Sequence, residues 1–430
     1  MANTIELKQQ IAQGEYDAAF AKLYGADAVQ EQRKRYTDLI DEFEKKYGTN
    51  RTVRLYSAPG RTEIGGNHTD HNNGVVLAGS VNLDMVAVVS PNEENVIRVK
   101  SLGFDKIDDV DVTNLVPQPR EAEHSASLIR GVAKGIVDAG GKVGGFDCYT
   151  TSNVLRGSGL SSSAAFEVCI GAILRGEYNN NDMEKFNQVK IAQIGQYAEN
   201  VFFGKPCGLM DQLASAVGGI VSIDFQNPAS PAVRKLDYDL LSSGHALCII
   251  DSGADHADLT DEYAAIPAEM GAAAACFGKS VLRDVDYHEF WNNLALVRRQ
   301  AGDRAALRAM HFFMDNLTAV KQAQALESDD FFRFLSLVNQ SGISSGLLLQ
   351  NLYCTARPQE QAVCVTIALA KQLLAGEGAA RVHGGGFAGT VQAFVPNGRK
   401  EQFRAGMEAV LGKGCCHFLH IRPEGGAVIA

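Results

Sequence analysis

The pattern of apolar and polar positions divides the chain into a strand-rich first part, a helical middle and a mixed end. In the first part, Val-rich or alternating runs predict strands at 53–59, 96–101 and 146–154, and either a strand pair or one long strand at 75–90. Apolar residues at helical spacing predict two polar amphipathic surface helices within 5–47, and further helices at 121–139, 160–178 and 183–203.

The second part changes character. A strand is predicted at 246–251, and the segment 260–345 has helical spacing with few strand signals. The end alternates again, with predicted helices at 359–375 and 399–411 and predicted strands at 390–396 and 416–423. Because strands and helices alternate without the regular rhythm of a parallel barrel, the pattern favours an α+β fold.

Length and composition narrow the class of protein. A chain of 430 residues fits two domains, and we place the boundary near residue 235. The formal net charge of -10 argues against a nucleic-acid partner, so any phosphate site must be built locally. No apolar run approaches the roughly 20 residues of a membrane helix, and the first residues lack the apolar core of a signal peptide. We therefore expect a cytoplasmic protein with no membrane partner.

The nine cysteines are scattered, and none forms a CxxC pair. We therefore expect buried thiols rather than disulfides or a zinc site.

A glycine-serine loop between a predicted strand and a predicted helix is the clearest chemical signal. It runs over 153–165, and Gly157 and Gly159 allow its backbone amides to point inward. The helix start that follows adds unpaired N–H groups and a positive dipole end, so the segment predicts an anion cradle for nucleotide phosphates. It lacks the Gly-Lys-Ser/Thr of a P-loop and the GxGxxG of a dinucleotide fold. The alternative is a capped helix after a flexible turn.

Two carboxylates follow the helix predicted at 183–203. Glu199 and Asp211 are twelve residues apart with a Gly-Lys-Pro turn between them, which can bring both toward one pocket. Such a pair suits phosphoryl transfer, in which one carboxylate holds Mg²⁺ and the other orients or deprotonates the attacking hydroxyl. Spacing alone leaves two alternatives open: a solvated Glu199 at a helix end, and Asp211 as a helix N-cap.

Four segments together resemble the motifs of the galactokinases, a branch of the GHMP kinases. Residues 58–74 are similar to the galactokinase signature, and 153–165 to the GHMP phosphate loop. Residues 207–212, Cys-Gly-Leu-Met-Asp-Gln, resemble the segment with the catalytic aspartate, and 383–389 resemble the third GHMP motif, with Gly384, Gly385 and Gly386. The motifs occur in the family's order.

The resemblance implies a two-domain fold. Residues 1–235 would form an N-terminal domain like ribosomal protein S5 domain 2, with the sugar signature and the phosphate loop. Residues 236–430 would form a ferredoxin-like C-terminal GHMP kinase domain. ATP and a sugar would bind in the cleft between them, in a monomer.

The resemblance also implies the reaction and its residues. It implies ATP-dependent phosphorylation of the C1 hydroxyl of galactose, giving galactose 1-phosphate and ADP, with Asp211 and Arg61 as catalytic residues. The implied sugar-binding residues are Asn67, His68, Asp70, Gly208 and Tyr263. The implied ATP-binding residues are Gly157, Ser158, Gly159, Leu160, Ser161, Ser162 and Ser163. Ser163 and Glu199 would hold Mg²⁺.

The sequence departs from the family at four places. Asn67 replaces the usual Glu that accepts a hydrogen bond from the C6 hydroxyl, His71 replaces the usual Tyr, and Glu63 replaces the usual Asn. A neutral residue 67 would tolerate a carboxylate at C6 better than Glu would, so a galacturonate kinase is an alternative. The segment 344–360 also lacks the acidic stretch usual in this region.

Two further alternatives remain. A galactose-sensing regulator related to these kinases would have a damaged phosphate loop, whereas the serine run is complete here and Asp211 and Arg61 are both present. A GHMP kinase for a non-sugar alcohol would lack the sugar-binding cluster at 66–71.

Overall fold

Two β-sheets with helices packed against them organise the chain. The computed structural model describes residues 2–155, 159–254 and 259–430. The strands are β1 (Ala2–Asn3), β2 (Thr52–Gly65), β3 (Val75–Pro91), β4 (Val96–Ser101), β5 (Ile107–Asp111), β6 (Phe146–Ser152), β7 (Ile220–Asp224), β8 (Ala232–Leu236), β9 (His245–Asp251), β10 (Ala379–Val382), β11 (Thr390–Pro396), β12 (Cys416–Leu419) and β13 (Ala427–Val428).

Helices account for most of the remaining chain. They are α1 (Thr4–Gln13), α2 (Asp17–Tyr24), α3 (Val29–Tyr47), α4 (Ser125–Asp138), α5 (Ser162–Tyr178), α6 (Gln188–Tyr197), α7 (Met210–Val217), α8 (Thr260–Ala275), α9 (Tyr287–Asn292), α10 (Leu294–Gln300), α11 (Asp303–Glu327), α12 (Phe331–Ser344), α13 (Ala362–Leu374) and α14 (Lys400–Leu411). Single π-helical turns follow α6 at Ala198–Phe203 and α12 at Ser345–Leu349.

The first sheet is built around two long strands, β2 and β3. Its main strand order is β1-β2-β3-β6-β4-β5, and all pairs are antiparallel except β4 with β6. The alternative of one long strand over 75–90 is confirmed: β3 has 17 residues and pairs with β6 along one half and with β7 along the other. The last strand, β13, returns to pair with β2.

Both faces of this sheet are covered, which explains why β3 is apolar at successive positions. Because side chains alternate across a strand, Val86 and Val88 face the core formed with α1–α3, while Ala87 and Val89 face the core formed with α4–α7. The prediction of two surface helices within 5–47 is wrong in number and role. Three helices form there and bury apolar side chains against the sheet, with the aromatic ones on α2 and α3.

The second sheet has the strand order β10-β11-β9-β12 and is antiparallel throughout. Helices α13 and α14 pack on one face, and α12 contributes to the core on the other. The prediction of a helical segment at 260–345 is confirmed by α8–α12. Strand β8 ends at Leu236 and β9 begins at His245, close to the predicted boundary, although β13 rejoins the first sheet. The division into domains stays a prediction.

Within the described ranges, no helix is both long enough and apolar enough to cross a membrane.

Candidate active site

Strand β2 places an arginine where the two sheets and the glycine-serine loop meet. The register between β2 and β3 shifts on either side of Arg61, between Pro59 and Arg61 and again between Glu63 and Gly65. The Arg61 guanidinium donates from Nε and Nη2 to the two carboxylate oxygens of Asp211, each at 2.7 Å. This two-bond geometry fixes the orientation of both side chains.

Asp211 is held from the loop side as well. Ser161 Oγ donates to Asp211 Oδ2 at 2.6 Å, and Arg61 Nη1 donates to the backbone oxygen of Gly159. Burial pushes the pKa of Asp211 up, but the Arg61 charge and the hydrogen bonds from Arg61 and Ser161 outweigh it and hold the pKa below its ordinary value. The Asp211 carboxylate is therefore ionised at neutral pH.

The backbone of β2 lies directly against the glycine-serine loop. Arg61 N donates to Leu160 O at 2.9 Å, and a Cβ on Gly60 would stand 2.7 Å from the same oxygen, so only glycine fits. Helix α5 begins at Ser162, within the glycine-serine segment and two residues after the predicted start at 160, and leaves Ser162 and Ser163 partly exposed at its N-terminus. Gly157 and Ser158, two of the predicted ATP-binding residues, lie outside the described residues.

Four of the five predicted sugar-binding residues contact one another or the glycine run of the third motif. Asp70 packs against Gly208, where a Cβ would stand 2.7 Å from Asp70 Oδ2. His68 Nε2 lies 2.9 Å from Gly385 O, and the Tyr263 hydroxyl donates to Gly386 O at 2.8 Å. The glycine run of the third motif therefore supports both His68 and Tyr263.

Burial determines the protonation state of His68, and the contact with Gly385 determines its tautomer. Burial is the main cause that lowers the pKa of His68 to about 4, and the nearby His71 lowers it further. Neutral His68 donates from Nε2 to the Gly385 carbonyl, which leaves Nδ1 as an acceptor.

Asn67, the fifth predicted sugar-binding residue, is enclosed by other protein groups. Its side chain is fully buried and donates to Glu63 Oε1 at 3.0 Å and to Gly384 O at 2.7 Å. No hydrogen bond joins it to Asp70 or Asp211 in the described parts of the chain. Glu63 is buried too and pairs with Arg381. Burial raises the pKa of Glu63, and Arg381 opposes that rise.

Near the predicted metal ligand Glu199, the structure adds two residues that sequence reasoning missed, Glu167 and Gln212. Gln212 Nε2 donates to Glu199 Oε2 at 2.9 Å and to Glu167 Oε2 at 3.0 Å. Glu167 lies one helical turn after Ser163, on the same face of α5. Burial, and then the charge of Glu199, raises the pKa of Glu167 well above its ordinary value.

Two features of the sequence could have identified these residues. Glu167 is spaced one helical turn from the serine run, and Gln212 is next to Asp211. The arrangement fits Mg²⁺. Glu199 is a buried carboxylate, and Glu167 Oε1 is a buried oxygen with no hydrogen-bond partner in the ranges described. Those ranges hold no cluster of three or more His, Cys, Asp or Glu residues able to form a metal cage. Mg²⁺ characteristically takes one or two carboxylates together with substrate phosphates, and the buried Glu199 carboxylate can supply one of these ligands.

Comparisons with known proteins agree with the class suggested by this geometry. A family model described as the GHMP kinases N terminal domain matches residues 127–219. The solved structure of mevalonate kinase superposes with a TM-score of 0.61 at 12% identity and covers 85% of this chain and 98% of that one. The fold is that of the GHMP kinases, a class of ATP-dependent kinases that phosphorylate small molecules.

Within that class, a model described as the galactokinase galactose-binding signature matches residues 41–91. The galactokinase of Actinobacillus pleuropneumoniae serotype 5b is 32% identical over 370 residues, which cover 84% of this chain and 90% of the relative. That of Glaesserella parasuis serovar 5 is 32% identical with the same coverage. The chain belongs to the galactokinase family. In fold it is also similar to Lactococcus lactis galactokinase solved with galactose, with a TM-score of 0.77 at 22% identity over 91% of this chain and 99% of that one.

Proposed function

We propose that this protein transfers the γ-phosphoryl group of ATP to the C1 hydroxyl of galactose, giving galactose 1-phosphate and ADP. The observation that carries the proposal is the Arg61–Asp211–Ser161 constellation, which joins the sugar signature to the phosphate loop by three hydrogen bonds of 2.6–2.7 Å. The similarity to galactokinases over most of the chain supports galactose as the sugar.

Asp211 and Arg61 would carry out the chemistry. Asp211 would orient the C1 hydroxyl and take its proton while the new bond forms between that oxygen and the γ-phosphorus. The bond from the γ-phosphorus to the bridging oxygen breaks, and ADP leaves with the electron pair. Arg61 would stabilise the negative charge on the transferring group. A carboxylate with a lowered pKa is a weak base, which is sufficient because phosphoryl transfer depends mainly on positioning and charge neutralisation.

The loop residues and the acidic residues would hold the nucleotide. The N-terminus of α5 would bind phosphate oxygens with the N–H groups and hydroxyls of Ser161–Ser163. Ser163 and Glu199 would hold Mg²⁺, with Gln212 fixing the Glu199 carboxylate. When bound, this ion would neutralise charge on the phosphates.

The cleft beside Asp211 would bind the sugar. Asp70 is a charged acceptor able to take two hydroxyls, and neutral His68 has an acceptor at Nδ1. Tyr263 and Gly208 complete the walls. Because one chain supplies all of these residues, we propose a monomer. Because its substrate ATP is abundant in the cytoplasm, we propose that location.

The test is ADP release with galactose, galacturonate, N-acetylgalactosamine, arabinose and glucose, followed by analysis of the phosphorylated position. We expect galactose to give the highest kcat/KM, a product phosphorylated at C1, and loss of turnover in excess chelator. A galactose rate no higher than that of glucose, or phosphorylation at another hydroxyl, would contradict the proposal.

A further inference from the structure

Two departures from the family signature, Glu63 and Asn67, contact each other in the structure. Asn67 Nδ2 donates to Glu63 Oε1 at 3.0 Å. The family signature has the amide at position 63 and the carboxylate at position 67, so this chain has the same two groups in exchanged places. One substitution alone would have left two amides or two carboxylates side by side, whereas the exchange keeps one of each.

The side-chain amide of Asn67 has no hydrogen-bonding capacity left for a ligand. Its two N–H groups donate to Glu63 and to Gly384 O, and its oxygen accepts from Ser345 Oγ at 3.1 Å and Asn351 Nδ2 at 2.9 Å. An amide offers two donors and two acceptor sites, and all four are used. The side chain is also 0% exposed.

The backbone of Asn67 is fixed by a second element. Its N–H donates to Asp315 Oδ2 at 2.9 Å, and its carbonyl accepts from His311 Nε2 at 2.8 Å. Both residues lie on α11 and are fully buried. Position 67 therefore joins the sugar signature to α11, to the glycine run and to the segment that follows α12.

The segment that follows α12 contains the other main departure from the family. Ser345 and Asn351, the two donors to Asn67 Oδ1, lie within 344–360, where the acidic stretch usual in the family is missing. Two neutral donors thus bind the side-chain oxygen of Asn67, and the Glu63 carboxylate pairs with the guanidinium of the fully buried Arg381.

We propose that Glu63 and Asn67 act as one buried pair that positions His68 and Asp70 against the glycine run, and that residue 67 holds this segment rather than contacting the sugar. This inference rests on the proposed function for its kinetic readout. Asn67 is then a positioning residue, and selectivity at the C6 end of the sugar lies with other groups of the cleft.

The charges of the pair make the proposal testable by exchange. Asn67→Glu would place two carboxylates about 3 Å apart beside one Arg381, and Glu63→Asn would leave Arg381 without its carboxylate. The double exchange Glu63→Asn with Asn67→Glu restores one carboxylate, one amide and one guanidinium. A pair that acts as a unit therefore predicts rescue, which two independent surface substitutions would not show.

The experiment measures Tm and steady-state kinetics for the wild type, both single variants and the double exchange. Asn227→Glu, at an exposed loop position, is the matched control. We expect each single variant to lower Tm by about 5 °C or more, and the double exchange to recover most of that loss. For galactose, kcat/KM should fall by about tenfold or more in each single variant and return to within about threefold in the double exchange.

A second readout separates positioning from contact. The ratio of kcat/KM for galactose to that for 6-deoxygalactose should stay within about twofold of wild type in every folded variant, because residue 67 does not touch C6. An Asn67→Glu protein with the Tm of wild type and a ratio changed by about tenfold would overturn the proposal, as would additive losses in the double exchange. If the wild type does not phosphorylate galactose, the proposed function fails, and the Tm cycle still decides whether the pair exists.

Discussion

Strand β2 carries two ion pairs two residues apart, and they differ in their access to solvent. Arg61 pairs with Asp211, whose side chain is 30% exposed, whereas Glu63 pairs with Arg381, and these side chains are 5% and 0% exposed. Each pair joins a carboxylate to a guanidinium donating several hydrogen bonds. The Arg61–Asp211 pair is therefore partly open to solvent, and the Glu63–Arg381 pair is enclosed by protein groups.

The comparison shows that an ion pair must be judged by its surroundings. In the open pair, Arg61 with Asp211, a ligand can reach Asp211 without displacing the protein, so both charges can act on the reacting groups. In the closed pair, Arg381 donates to Glu63, Ile64 O and Val382 O. Because Arg381 is on β10 and Glu63 and Ile64 are on β2, these hydrogen bonds hold the two sheets together. We expect the first pair to control rate and the second to control stability.

Breaking the open pair should have the largest effect. Asp211→Asn keeps the shape of the side chain but removes the charge and the proton acceptor, so kcat should fall by about a thousandfold or more. The measurement is ADP release at saturating galactose. Binding of galactose, measured by calorimetry, should stay within about tenfold of wild type, because the sugar keeps its other contacts. Turnover equal to that of wild type would contradict the role of Asp211.

Breaking the closed pair should act on stability instead. Arg381→Met removes the guanidinium and leaves Glu63 as an unpaired buried carboxylate, which costs about 3 kcal/mol of unfolding free energy. Urea denaturation measures this loss. Adding Glu63→Gln as a control should recover part of it, since no charge is then left unpaired. A stable Arg381→Met protein with a large loss of kcat would reverse the roles that we assign to the two pairs.

A smaller effect concerns the pH dependence of stability that arises from His68 in the sugar signature. The pKa of His68 is lowered from 6.5 in the unfolded chain to about 4 in the folded protein. The unfolded state therefore binds more protons between these values, and stability falls as the pH drops through this window.

From pH 7 to pH 5, the unfolding free energy of the wild type should fall by about 2 kcal/mol more than that of His68→Gln, which has no titrating side chain at position 68. Urea midpoints at the two pH values measure the difference. Equal losses in both proteins would show that another group, such as the buried His311, causes the pH dependence.

Much of the fold could be predicted from the sequence because its main elements are strongly patterned. The long apolar run of β3 and the helical segment 260–345 were assigned to the right type. The short strands β5, β7, β8 and β10 were missed, since four or five residues carry little periodicity. The N-terminal helices were predicted to lie on the surface because their polar faces dominate the composition, although their apolar faces pack against one side of β2, β3 and β6.

The candidate site, like the fold, could be predicted from the sequence only in part. Arg61 and Asp211 were found because each lies in a motif, and the structure brings them into contact. The orientation of Asn67 could not be found. It depends on Ser345 and Asn351, which lie more than 270 residues further along the chain. Glu63 has its partner Arg381 at a similar sequence distance, which no local pattern reports.

The two register shifts that flank Arg61 and Glu63 have a consequence for changes in chain length. Successive side chains of a strand point to opposite faces, so one inserted or deleted residue between Pro59 and Gly65 would turn Arg61, Glu63 or both away from their partners Asp211 and Arg381. Length variation should therefore be absent from this stretch in any collection of active variants. It should be common in exposed turns such as 226–230, where no register has to be kept.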